Sequence, residues 1–336
     1  MKHFNNLLIS AVFVGLFSSC GSDKLDIDTS IVNIKPVKIE RLDRDLFGIN
    51  TGNSDTKKKE LENKYGNFYR QFIYSIINAN QKDSDFVLKF VSDKDMKGAY
   101  DDVQSSINDG DIANLESELT ECEKRFRVLF PNRKLPKRHI AYFSGFNYNI
   151  VYPDSVLGIS LEMYLGSDNK YYKMLQWPAY QRRTLRKEYM LPNLIRGWLI
   201  TEFDNAQPVN NLLNHMIFYG KIFYACDALL PNLNDSLKIS YSSQQMEYCL
   251  NYEKNLWGFF AQENRLYENN LKTVTEFTSE GPFTGAISKE CPPRVAMWLG
   301  WQIVRSYMKN NGNVTLSELM ADTDAQKILT KSKYRP

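Results

Sequence analysis

One stretch near the end of the chain limits the possible folds more than any other. It runs Val295-Ala296-Met297-Trp298-Leu299-Gly300-Trp301-Gln302-Ile303-Val304-Arg305-Ser306-Tyr307-Met308. Met297, Trp301, Val304 and Met308 recur at helical steps, and so do Val295, Leu299 and Ile303. A helix that is apolar around most of its circumference has to be enclosed by other elements. The chain must therefore build a core around this segment, and its 336 residues are enough to do so. Pro292 and Pro293 suit the first turn of that helix. Gly300 in its middle costs about 1 kcal/mol against Ala, so the sequence predicts a close helix approach there.

The remaining periodicities give an α+β fold, mostly α: a helical domain around a small sheet of about three or four short strands. Val37, Ile39 and Arg41 alternate with Lys38, Glu40 and Leu42, the period of a short strand. His139–Phe146 reads as a strand that can be buried on both faces, with further strands at Ile150–Tyr152 and Ser155–Leu161. Helical steps predict helices at Thr56–Asn78, Phe86–Ser92, Met96–Ile107 and Ile112–Phe130. Later helices are expected at Pro178–Tyr189, Pro192–Phe203, Pro208–Leu230, Ser243–Asn264, Pro292–Lys309 and Leu316–Ala321. No internal repeat and no long later linker occurs, so residues 36–336 read as a single domain.

The start of the chain points to a compartment. Lys2 and His3 precede Leu7–Phe17, which is apolar except for Ser10 and Gly15. That run is shorter than the roughly 20 residues that span a bilayer, and has the shape of a secretory h-region. It ends in Leu16-Phe17-Ser18-Ser19-Cys20, which resembles a bacterial lipobox with Phe17 where Leu is commonest. Residues 1–19 are then a signal peptide and Cys20 is the lipidated residue, carrying diacylglycerol and, on its amine, a fatty acyl chain such as palmitate. The alternative is a plain leader with a chance cysteine. Residues 20–35 read as the lipidated cysteine and a polar tether, placing the domain in the cell envelope, outside the cytoplasm. Multiple acyl chains anchor stably because each buried methylene contributes about 0.8 kcal/mol. The other cysteines, Cys122, Cys226, Cys249 and Cys291, could form two bridges in an oxidising compartment. Their apolar helical neighbours favour free, buried thiols instead.

Chemistry-bearing motifs are scarce. A formal net charge of +3 is too balanced for a nucleic-acid partner. No GxGxxG, GxxxxGK[ST], GxSxG or CxxC pattern occurs. The only histidines are His3, His139 and His215, which argues against a histidine-rich metal site, and no cofactor is expected. His215 lies in an apolar helical run and reads as a packing residue. Glu162, Glu202 and Asp204 sit at element ends; as a hydrolytic pair, carboxylates would have to face each other across a cleft about 5–9.5 Å wide. Arg182, Arg183, Arg186 and Lys187 form a basic cluster, either a solvated helix face or a contact for anionic lipid heads.

Several runs together resemble the gliding-motility lipoprotein family of the GldB type. They are Arg41–Phe47, Gly158–Gly166, Leu212–Tyr224 and Arg294–Met308, with the cysteine at position 20. The resemblance implies an envelope lipoprotein required for gliding, with other envelope motility proteins as partners. It does not supply a biochemical role. A fainter likeness is to a gluzincin-type peptidase scaffold, whose helix would carry HExxH. The corresponding helix here reads Leu194-Ile195-Arg196-Gly197-Trp198-Leu199-Ile200-Thr201-Glu202, and Tyr219 stands where a ligand glutamate would be expected. The expectation is therefore a non-enzymatic scaffold or interaction subunit, with no catalytic and no metal residues. A hydrolase of envelope peptide or glycan using carboxylates is the alternative, and a module binding lipid or polymer through tyrosines is a third reading.

Overall fold

A computed structural model describes residues 25–80, 82–204, 211–262 and 264–336. The predicted signal peptide and Cys20 lie outside the described residues. From Leu25 onward the chain lies along the domain: Leu25 packs on the core, and the Thr29 hydroxyl donates to Glu121 at 2.8 Å.

Four short strands form one mixed sheet in the order β1-β2-β4-β3. They are β1 (Ile39–Arg41), β2 (Arg138–Tyr142), β3 (Ile150–Val151) and β4 (Val156–Ser160). β1 and β4 flank β2 in parallel, with His139 opposite Ile39 on one side and Leu157 on the other. β3 closes the edge antiparallel to β4, Ile150 facing Ile159. Side chains of a strand alternate between faces. Ile140 and Tyr142 accordingly join one apolar cluster with Leu61, Tyr65, Phe68 and Phe72, while Ala141 enters the larger cluster on the other side. Both faces are covered, which is why β2 and β4 read as nearly continuous apolar runs.

The larger core is built on five helices: α1 (Asp109–Leu129), α2 (Met190–Phe203), α3 (Leu212–Leu229), α4 (Val295–Asn310) and α5 (Ala325–Ser332). Asn108 and Asp111 form a capping box on α1, and the Asn211 side chain caps α3 by accepting from the Asn214 amide. α3 and α4 are the centre, with Trp298 and Trp301 fully enclosed. Asp227 of α3 joins them by charge: Trp301 Nε1 donates to it at 2.9 Å, Arg305 Nε at 2.8 Å and Lys238 Nζ at 2.8 Å.

Several predicted helices are shorter than their periodicity suggests. The expected helix Thr56–Asn78 breaks at Gly66, whose φ of +56° leaves the helical region. It becomes Ser54–Tyr65, then Asn67–Gln71 running into a wider π turn at Phe72–Ile76. Only Ala179–Arg182 and a turn at Lys187–Tyr189 are helical in the expected helix Pro178–Tyr189. The expected helix Ser243–Asn264 divides into Ser243–Asn251 and Glu253–Ala261. Pro292 and Pro293 precede α4 rather than opening it, because Arg294 takes a left-handed conformation with φ of +58°. The cysteines Cys122, Cys226, Cys249 and Cys291 are free and buried.

Candidate functional site

The cleft of interest lies where α2 passes the turn between residues 238 and 241 and the start of α4. Asn193 and Arg196 stand one helical turn apart on α2 and face the same way. Arg196 Nη2 donates to Asn193 Oδ1 at 2.7 Å, and its Nη1 donates to the Lys238 carbonyl at 2.8 Å and the Ser240 hydroxyl at 3.1 Å. Arg294 reaches the same turn: its Nη2 donates to the Ile239 carbonyl at 2.8 Å. Lys238 and Ile239 end the short helix Asp235–Ile239, so the two guanidiniums satisfy carbonyls that the helix leaves open. Ser240 and Arg294 both hold left-handed backbone, with φ of +61° and +58°. Non-glycine residues adopt that region at a cost, and here it turns both side chains inward.

The two arginines are not balanced alike. Arg294 is buried, lies over the Tyr241 ring, and has its Nε 2.9 Å from Glu280 Oε2. That approach is close but poorly directed for a hydrogen bond, so it is an ion pair by distance alone. Among the described residues, the hydrogen-bond acceptors of Arg196 are neutral. Burial, and then the neighbouring charge of Arg294, lower its pKa from the ordinary guanidinium value. Its remaining open surface lines a cleft of about 310 Å³, walled also by Phe146, Trp177 and Asn149.

Glu162 lies behind this wall, fully buried. Its Oε1 accepts from the Ser144 hydroxyl at 2.6 Å, the Ser144 amide at 2.7 Å and the Phe146 amide at 3.1 Å. Its Oε2 accepts from the Ser160 hydroxyl at 2.6 Å. Burial pushes its pKa up, against the pull of these donors. Such a carboxylate fixes the loop after β2 that forms the cleft wall.

The other residues singled out in the sequence are dispersed. Glu202 pairs with Arg133 at 2.8 Å, on partners that Glu162 does not share, and Asp204 is exposed just beyond the end of α2. His215 is half-buried in α3, where burial lowers its pKa. In the basic cluster, Arg182 donates to the Trp177 and Ser167 carbonyls and Arg183 to the Ser240 carbonyl. Arg186 pairs with Glu188 and Lys187 with Asp111, so the cluster ties loops together instead of lining one helix face. His139 does meet an acid: its Nε2 lies 2.8 Å from Glu123 Oε1, both groups buried beside a groove formed by Pro36, Lys38 and Pro136. Nothing local in the sequence couples those two residues. Arg196 was equally unmarked, although a lone cation inside the apolar run from Leu194 to Ile200 was the available signal.

Among the described residues, no group of three His, Cys, Asp or Glu side chains could hold a metal ion, and no helix is long and apolar enough to cross a membrane. The sequence profile of one family, described as gliding motility protein GldB, matches residues 22–336. The chain belongs to the GldB family. No curated protein and no solved structure matches it. The GldB match takes in the sheet, the five core helices and the cleft, so the arginine pair lies within the region that defines the family's profile.

Proposed function

We propose that this protein is a lipid-anchored envelope component of the gliding machinery that acts by binding and not by catalysis. Family membership supports the motility role. The anchor rests on the apolar run Leu7–Phe17 and on Ser18-Ser19-Cys20. The observation that carries the non-catalytic reading is the make-up of the cleft. Its charged walls are Arg196, Arg294 and one carboxylate, Glu280, which lies against Arg294, and the Glu162 carboxylate beside the cleft already accepts from four donors. Carboxylate-driven hydrolysis needs two carboxylates free to face a substrate, and Glu202 is held elsewhere by Arg133. Motility partners and the membrane are the expected contacts, with the domain facing away from the cytoplasm.

The test is genetic and biochemical. In a gliding host, deletion of the gene stops gliding and the intact gene restores it. Cys20→Ala incorporates no labelled palmitate, leaves the membrane fraction and fails to restore gliding. The full chain in detergent turns over neither envelope peptides nor glycan. A deletion strain that glides normally overturns the motility role, and turnover overturns the non-catalytic one. The competing hydrolase reading finds its best support at His139 and Glu123, a buried base and acid in contact beside a groove. On that reading His139→Ala abolishes turnover.

A further inference from the structure

A buried cation is costly unless an anion balances it. Arg294 has Glu280; the acceptors of Arg196 are two neutral side-chain oxygens and one carbonyl. Both guanidiniums are anchored on one turn and line one cleft, and with Glu280 the lining carries a single net positive charge; Arg183 grips the same turn through the Ser240 carbonyl without lining the cleft. The geometry points to the Arg196–Arg294 cleft as a binding site for a monoanionic organic carboxylate, with Arg196 as its anchor.

Three features select that chemistry. The guanidinium is a planar fork that matches a carboxylate through two parallel hydrogen bonds. One carboxylate already sits against Arg294, that of Glu280, so the wall accommodates such a group. A single negative charge brings the two arginines and Glu280 to neutrality, whereas a phosphate dianion would be opposed by Glu280. The volume of about 310 Å³ is at the lower end of ligand pockets, suited to a small acid or the end of a polymer. Trp177 and Phe146 offer flat apolar surface to the body of the ligand, and Asn149, whose buried Oδ1 has no hydrogen-bond partner among the described residues, offers an acceptor for one of its polar groups. The acid can come from a peptide C-terminus or from an acidic sugar, and the shared group is the carboxylate.

The inference rests on reading the cleft as a binding site, and calorimetry separates the two ideas. The full chain in detergent is titrated with an N-acetyl dipeptide bearing a free C-terminus, with its C-terminal amide, with glucuronate and its methyl ester, and with inorganic phosphate. We expect one of the two free acids to bind about tenfold or more tightly than its neutral form, and phosphate not to bind. Arg196→Lys keeps the charge but loses the fork, and weakens binding by about tenfold. Glu280→Gln, at an exposed position, tightens the acid several-fold, roughly as expected for removal of a like charge, and lets phosphate bind. Equal binding of acid and neutral form, phosphate in place of both acids, or no binding at all overturns the assignment. If Arg196→Lys does not fold, Glu280→Gln decides alone: unchanged affinity overturns the proposal. Cleavage of a bound probe would sink the non-catalytic reading while leaving the carboxylate site intact.

Discussion

Gly220 and Gly300 are apposed where α3 crosses α4, backbone against backbone. A Cβ on Gly300 would run into the Met216 carbonyl, and one on Gly220 would run into the peptide of Gly300 itself. Backbone cannot give way as the end of a flexible side chain can. An ordinary Gly→Ala change inside a helix stabilises by about 1 kcal/mol. Here the sign reverses: Gly300→Ala should destabilise by about 3 kcal/mol or more through overpacking. Urea unfolding of the full chain measures it, and a variant as stable as the parent would refute the crossing.

Asp227 holds the same pair of helices by charge. It is buried and accepts from Trp301, Arg305 and Lys238. Removing one partner of such a group strands the others. Asp227→Asn should cost about 3–5 kcal/mol, seen as a lower denaturant midpoint with unchanged slope. A loss below about 1 kcal/mol would mean the network is a surface-like pair.

Lys221 gives a pH dependence. It is buried in α3, and its Nζ donates to the Asp322 carbonyl at 2.9 Å and the Met320 carbonyl at 3.4 Å. Burial lowers its pKa to about 8 from an ordinary 10.5. A depressed lysine holds fewer protons folded than unfolded, so stability rises with pH between those values. Cysteine and tyrosine ionisation oppose this in the alkaline range, so the comparison is with Lys221→Met. The stability of the parent relative to that variant should rise by about 2 kcal/mol from pH 7 to 9.5. A flat difference would place the ammonium in water.

The four domain cysteines should be silent to thiol reagents until the fold opens. Burial pushes Cys226 and Cys291 up to about 12, and raises Cys122 and Cys249 as well. A disulfide reagent at pH 8 should label none of them natively and all four in denaturant. Native labelling, or a bridge found by non-reducing mass spectrometry, would contradict the buried free thiols.

Much of the fold was legible because its signals are local. The apolar circumference of Val295–Met308 required an enclosed helix, and α4 is one. The unbroken apolar run from His139 required a strand covered on both sides, as β2 is. Gly300 advertised a close approach, and Gly220 completes it. Periodicity failed where one residue's backbone outweighed a favourable pattern, as at Gly66 and Arg294, since a single positive φ ends a helix whatever its neighbours prefer. The candidate site was hardly legible at all. Arg196 and Arg294 meet only because a five-residue helix presents its last carbonyls to both, and His139 finds Glu123 only because β2 lies against α1. By itself, then, the sequence determined which segments had to be buried, because hydrophobic spacing is written within each element. Tertiary structure alone decided which charges would be balanced and which left open, because an ion's partners come from whatever distant residues the fold brings within a few ångströms of it.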